Sequence, residues 1–133
     1  MTAPPNPGDA QIAGGKKVLL VEDEEALANA LRLKLGAQKF DVTWAKDGQE
    51  ALDDINQGKY DVIVTDLILP VMDGFTMMQK LQEKKDGTPV IVLSNLGQPE
   101  DIEHAKSLGA KDFLVKSNVP LARIPEYINK AIM

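Results

Sequence analysis

From Lys16 onward the chain alternates short, unbroken apolar runs with longer stretches in which apolar residues return every three or four positions. Val18–Val21, Val62–Val64, Val90–Leu93 and Phe113–Val115 are continuously apolar and mostly β-branched, as expected of strands covered on both faces in a parallel sheet. Phe40, Val42 and Trp44 alternate with Asp41 and Thr43 instead, a pattern that suits an edge strand. Helical spacing places Leu27, Leu31 and Leu35 on one face, Ala51, Leu52 and Ile55 on another after Asp47-Gly48, and Met77, Met78 and Leu81 on a third after Gly74. Ile102, Ala105 and Leu108 lead to Gly109, and Ile124, Ile128 and Ala131 close the chain. Pro125 falls inside that last pattern, so the final helix is expected to start late or to kink. Five β and five α segments in alternation predict a doubly wound α/β fold, because parallel neighbours need right-handed helical crossovers.

In such sheets, ligands gather beyond the carboxyl ends of the strands. The first strand ends in Glu22-Asp23, the third in Asp66, the fourth in Ser94-Asn95 and the fifth in Lys116, so these residues should converge on one edge. Each has an ordinary reading when taken alone. Asp23 could cap a helix that begins at Glu24, Ser94 could cap a turn, and Lys116 could be a solvated lysine. Asp66 is harder to explain away, since a carboxylate beside a core needs compensation.

Composition narrows the chemistry. The chain has 133 residues, 44% of them apolar, which suits one domain with a sizeable core and leaves no room for a second. A net charge of −5, without a lysine-arginine stripe, argues against direct nucleic-acid binding. The absence of cysteine excludes disulfides, cysteine-ligated zinc and thiol catalysis. Apolar runs of three to five residues are too short for membrane insertion, and residues 1–15 lack the parts of a signal peptide, so a cytoplasmic location is expected. Those residues, rich in Pro, Gly and small side chains, read as a disordered N-terminal tail ahead of a folded unit over 16–133.

Three crowded carboxylates must raise their pKa values or recruit a cation. Oxygen-only donors favour Mg²⁺, with Glu22, Asp23 and Asp66 as the metal-site residues and Lys116 balancing charge from the opposite side. A metal and an ammonium flanking one exposed carboxylate would stabilise the charge of a transferring phosphoryl group, which makes Asp66 the candidate nucleophile.

The segments VLLVEDEE (18–25), VIVTDLILPVMDG (62–74), VIVLSNL (90–96) and GAKDFLVKS (109–117) together resemble the receiver domain of two-component response regulators in order and spacing. The resemblance implies a flavodoxin-like (βα)5 three-layer sandwich with a parallel sheet in the order 2-1-3-4-5. It implies that Glu22, Asp23, Asp66 and the backbone carbonyl of Ile68 hold Mg²⁺, and that Asp66 accepts phosphate from a histidine kinase or histidine phosphotransfer protein. By the same resemblance Ser94 hydrogen-bonds the phosphoryl group, Lys116 pairs with it, and Phe113 turns inward as Ser94 moves. The fourth helix, fifth strand and fifth helix would then present a changed face to a downstream protein target or to a second copy as a homodimer. On this reading the chain is a switch that catalyses only its own phosphorylation and dephosphorylation, not an enzyme acting on other substrates, and it is expected to stand alone.

Within "LPVMDG", Pro70 is expected to stiffen the loop, Gly74 to adopt angles that a Cβ would forbid, and Asp73 to cap the third helix. The chain departs from the family at four positions. Ser117 stands after Lys116 where proline is usual, so that peptide is expected to be trans. Asn95 stands where a smaller residue is usual. Ile68 and Leu96 are aliphatic at positions that are often polar and lie near the path of attacking water, so a slow-decaying phosphoryl state is expected.

Two other families with similar strands fit poorly. A haloacid-dehalogenase-like phosphatase would need an acid two residues after Asp66, where Ile68 stands, and a flavodoxin-like nucleotide binder would not follow its first strand with Glu22-Asp23-Glu24-Glu25. The alternative that remains is a receiver-like binding module that works without phosphorylation. His104 on the fourth helix reads as a surface residue, and Met72, Met77 and Met78 as packing.

Overall fold

The structure is a computed structural model that describes residues 15–133; the expected tail, apart from Gly15, lies outside the described residues. The elements alternate as β1 (Lys17–Val21), α1 (Glu25–Ala37), β2 (Asp41–Ala45), α2 (Gly48–Gln57), β3 (Val62–Thr65), α3 (Gly74–Glu83), β4 (Val90–Ser94), α4 (Pro99–Ser107), β5 (Ala110–Val115) and α5 (Ile124–Ile132). The five strands pair in parallel in the order β2-β1-β3-β4-β5. This is the predicted doubly wound α/β arrangement, with its sheet in the expected order 2-1-3-4-5.

Strand alternation divides the core between the two faces of the sheet. Val18, Leu20, Val62 and Val64 pack with Leu31, Leu35 and Ile128 from α1 and α5. Leu19, Val21, Ile63 and Val92 pack on the other face with Met77 and Met78 of α3. Side chains of this size each contribute roughly 1.5–3 kcal/mol when fully buried. The central strands β1, β3 and β4 therefore sit rigidly between two apolar layers, and only their ends reach water.

One strand differs from the sequence expectation for an identifiable reason. Strand β5 begins at Ala110 rather than Phe113, because Lys111 is set aside at a bulge where Val90 pairs with Ala110 and Ile91 with Asp112. Helix α5 starts late, as expected, and does not need to kink. A 3₁₀ turn over Leu121–Arg123 precedes it, and Pro125 lies in its first turn, where the missing N–H has no helical partner to lose.

Candidate functional site

Glu22 follows β1, Asp66 follows β3, Ser94 ends β4 and Lys116 follows β5, so neighbouring strands deliver polar groups at one level. Backbone hydrogen bonds hold that level: Glu22 N–H donates to the Ala45 carbonyl at 3.0 Å, Asp66 N–H to Val21 at 3.0 Å and Lys116 N–H to Ser94 at 2.9 Å. Glu22 and Asp66 are 1% and 7% exposed, whereas Asp23 faces solvent. One carboxylate oxygen from each of Glu22, Asp23 and Asp66 lies within 4.8 Å of the other two. A cluster of hard oxygen donors this tight, with one member open to water, fits a Mg²⁺ ion that keeps several of its waters.

Lys116 is not across the site from the acids but between two of them. Its Nζ lies 2.6 Å from Asp66 Oδ2 and 2.8 Å from Glu22 Oε1. The other Asp66 oxygen accepts the N–H groups of Leu67 at 2.6 Å and Ile68 at 3.4 Å, and Glu22 Oε2 accepts the Glu24 N–H at 3.0 Å. Burial pushes the Glu22 carboxyl above its usual value, and Lys116 and the Glu24 N–H only partly reverse this. Burial alone would lower the Lys116 pKa, but its bonds to Asp66 and Glu22 outweigh that and hold the ammonium above the ordinary lysine value.

The loop after Asp66 is tied at several points. Gly74 N–H donates to the Leu67 carbonyl at 2.9 Å, Gly48 N–H donates to Met72 at 3.0 Å, and Asp73 caps α3 by accepting the Thr76 N–H at 2.8 Å. The reason for Gly74 differs from the one expected. Its φ is not positive; instead, a Cβ there would lie 2.3 Å from the Asp66 carbonyl oxygen. The left-handed position in this loop belongs to Val71, at φ 66°.

Other expected residues fall as follows. Asp23 does not cap α1, whose N-cap is Glu24 with no side-chain hydrogen bond. Ser94 is fully buried and its hydroxyl accepts the Leu96 N–H at 3.3 Å. Phe113 is half-buried on the α3 side of the sheet, beside Val92 in register. Ile68 is 60% exposed, Leu96 is half-buried and Asn95 is exposed. No described peptide bond is cis, including the one before Ser117. His104 is exposed, and its ring stacks on Phe75 at 4.4 Å between centroids. Met77 and Met78 are core residues and partly buried Met72 packs against the same core cluster. Sequence reasoning missed two positions: Gly48, where a Cβ would meet the Met72 carbonyl oxygen at 2.4 Å, and Trp44, whose Nε1 donates to the Glu22 carbonyl at 2.7 Å. The Asp-Gly pair at 47–48 marked a helix start, but nothing in the spacing signalled Trp44.

Residues 18–129 match the response regulator receiver domain family. The chain belongs to that family. It resembles the receiver domain of Francisella response regulator 1452, with 33% identity and a TM-score of 0.84 over 89% of this chain and 97% of that one. It also resembles the receiver domain of sensor histidine kinase PA1611 from Pseudomonas aeruginosa, whose structure has a magnesium ion coordinated in the active site cleft, with 28% identity and a TM-score of 0.80 over 89% of this chain and 98% of that one. A probable transcriptional regulator of Guillardia theta, ycf27, is 34% identical over 112 residues, which make up 84% of this chain and 44% of that protein. The chain thus spans less than half the length of the curated relatives it matches. Because ycf27 is named a transcriptional regulator, the expectation of no direct nucleic-acid contact applies only to the charge of these residues. Among the described residues, no helix is long and apolar enough to cross a membrane.

Proposed function

We propose that residues 16–133 form a Mg²⁺-dependent receiver that accepts a phosphoryl group on Asp66 from a histidine kinase or histidine phosphotransfer protein in the cytoplasm. The observation that carries this reading is the junction of Asp66, Glu22, Asp23 and Lys116 at the mouth of the sheet. An oxygen of the Asp66 carboxylate attacks phosphorus as the donor's P–N bond breaks, and the imidazole nitrogen leaves with the bonding electron pair and takes up a proton. The Leu67 and Ile68 N–H groups orient the attacking carboxylate. Lys116 shifts from the carboxylate to the arriving phosphoryl oxygens, so the positive charge stays in place as negative charge accumulates. Glu22, Asp23, Asp66 and the Ile68 carbonyl would hold Mg²⁺, which supplies charge neutralisation for the transferring group.

Ser94, at the end of β4, would donate its hydroxyl hydrogen to a phosphoryl oxygen, and its movement toward that group would draw Phe113 inward. The α4, β5 and α5 face would then engage a downstream protein or a second copy. Incubation with acetyl phosphate and Mg²⁺, followed by intact mass, tests the proposal: the protein should gain one phosphate and Asp66→Asn should not. Equal labelling of both proteins, or of neither, would leave the phosphorylation-independent binding module as the better reading.

A further inference from the structure

We infer that Trp44, on the edge strand β2, is a positioning residue for the magnesium-binding acids; the inference rests on the reading of that site given above. The indole Nε1 donates a 2.7 Å hydrogen bond to the Glu22 carbonyl oxygen. That carbonyl belongs to the peptide unit joining Glu22 to Asp23, and the unit is planar. Fixing the oxygen therefore fixes the plane from which Asp23 departs. The same residue's N–H is held by β2 as well, through the 3.0 Å bond to the Ala45 carbonyl. Glu22 needs little further help, since its side chain is buried and bonded at both oxygens. Among the described residues Asp23 has no comparable restraint: it is exposed, it does not cap α1, and yet one of its oxygens lies within the cluster. The indole bond supplies the restraint that Asp23 lacks.

The ring itself is held in place. Trp44 packs partly buried against the core formed with α1 and α5, and the Arg32 guanidinium and Lys46 ammonium lie 5.6 Å and 5.7 Å from its ring centroid. A half-buried indole normally finds one partner for its N–H. Here that partner is the backbone of a site residue 22 positions away, so the edge strand reaches into the site without contributing a ligand. Residues that orient ligands in this way typically change metal affinity by about 10–100-fold when altered.

The test is calorimetric titration of Mg²⁺ into the full chain, with the unfolding midpoint measured separately without divalent ions. Trp44→Phe keeps a ring beneath the two cations and removes the donor. Because the chain has a single tryptophan, a benzothiophene analogue incorporated in its place replaces N–H by sulfur with little change of shape. Both variants should bind Mg²⁺ roughly tenfold more weakly than the parent, at the lower end of the range for such residues. The analogue should do so with an unchanged midpoint. Parent-like affinity in the folded analogue, with or without a lowered midpoint, would reduce Trp44 to a packing residue and overturn the inference. A parent that takes up no Mg²⁺ would instead remove the proposed metal site, and this inference with it.

Discussion

Gly74 stands so close to Asp66 that a Cβ at position 74 would lie 2.3 Å from the Asp66 carbonyl oxygen and 2.9 Å from the Leu67 Cα. Both obstacles are backbone, so neither can swing aside as a side-chain tip would. The start of α3 thereby fixes the chain that carries the Asp66 carboxylate. Gly74→Ala should cost about 1–3 kcal/mol in denaturant unfolding, as overpacking of a tight contact does. It should also slow phosphorylation by acetyl phosphate. An alanine variant with parent stability would mean that the loop moves freely, contrary to the contacts described.

Lys116 is the group on which the pH response of the site turns. Its pKa is raised above the ordinary 10.5 in the folded state, so its stabilising contribution is complete below that value and is lost as pH rises through the folded pKa. Lys116→Met should therefore flatten the loss of stability seen in the parent at alkaline pH. Near neutrality the same variant leaves Glu22 buried without its cation. Removing one member of a buried pair costs about 3–5 kcal/mol, and partial exposure of the ammonium should reduce this to roughly 2–3 kcal/mol. Glu22 already has its pKa raised from 4.5, and without Lys116 it rises further. The folded state then binds a proton more readily than the unfolded state, so the cost should shrink on acidification and also on adding Mg²⁺. Chemical unfolding across pH, with and without Mg²⁺, checks both signs.

Val71 adopts φ 66° while remaining 83% exposed. A β-branched residue there pays about 1–2 kcal/mol of local strain, and almost no burial offsets it. Glycine relieves the strain but costs about 0.5–1 kcal/mol of extra chain entropy. Val71→Gly should raise stability by up to about 1.5 kcal/mol, the difference between those two effects. Val71→Ile should bring no such gain, since it retains the branched Cβ. Paired denaturation curves would show the difference.

The strands and helices were legible because burial on both faces imposes an unbroken apolar run, and burial of one helical stripe a period of 3.6, and both survive in a single sequence. The acids were legible for a related reason: Asp66 and Glu22 are polar at positions where Val64 and Leu20 had just required apolar company. What escaped was set by tertiary approach. Lys111 reads like any polar residue before a strand, and only pairing with β4 reveals the bulge. Gly74 announced freedom of backbone angle, whereas its function is clearance from Asp66. Trp44 and Glu22 meet through parallel pairing of β1 and β2, which no local spacing encodes. The resemblance of the segments at 18–25, 62–74, 90–96 and 109–117 to a known family brought the roles of Ser94 and Phe113 within reach, and those roles remain part of the proposal.

On the proposed reading, the lifetime of a phosphoryl group on Asp66 should be governed by the aliphatic side chains of Ile68 and Leu96. Hydrolysis needs a water aligned with the phosphorus on the side away from Asp66, and alignment requires a hydrogen-bonding partner. The family resemblance implies that residues 68 and 96 lie near the path of that water; Ile68, 60% exposed two residues beyond Asp66, and half-buried Leu96 would offer it only apolar surface. Ile68→Asn adds a donor and an acceptor at the rim with little folding cost, because the isoleucine is not part of the core. Dephosphorylation after removal of excess acetyl phosphate, followed by intact mass, should be severalfold faster in this variant. Ile68→Val, which changes size without adding polarity, should decay like the parent. If the valine and asparagine variants decay alike, access to the phosphorus controls the lifetime and water alignment does not.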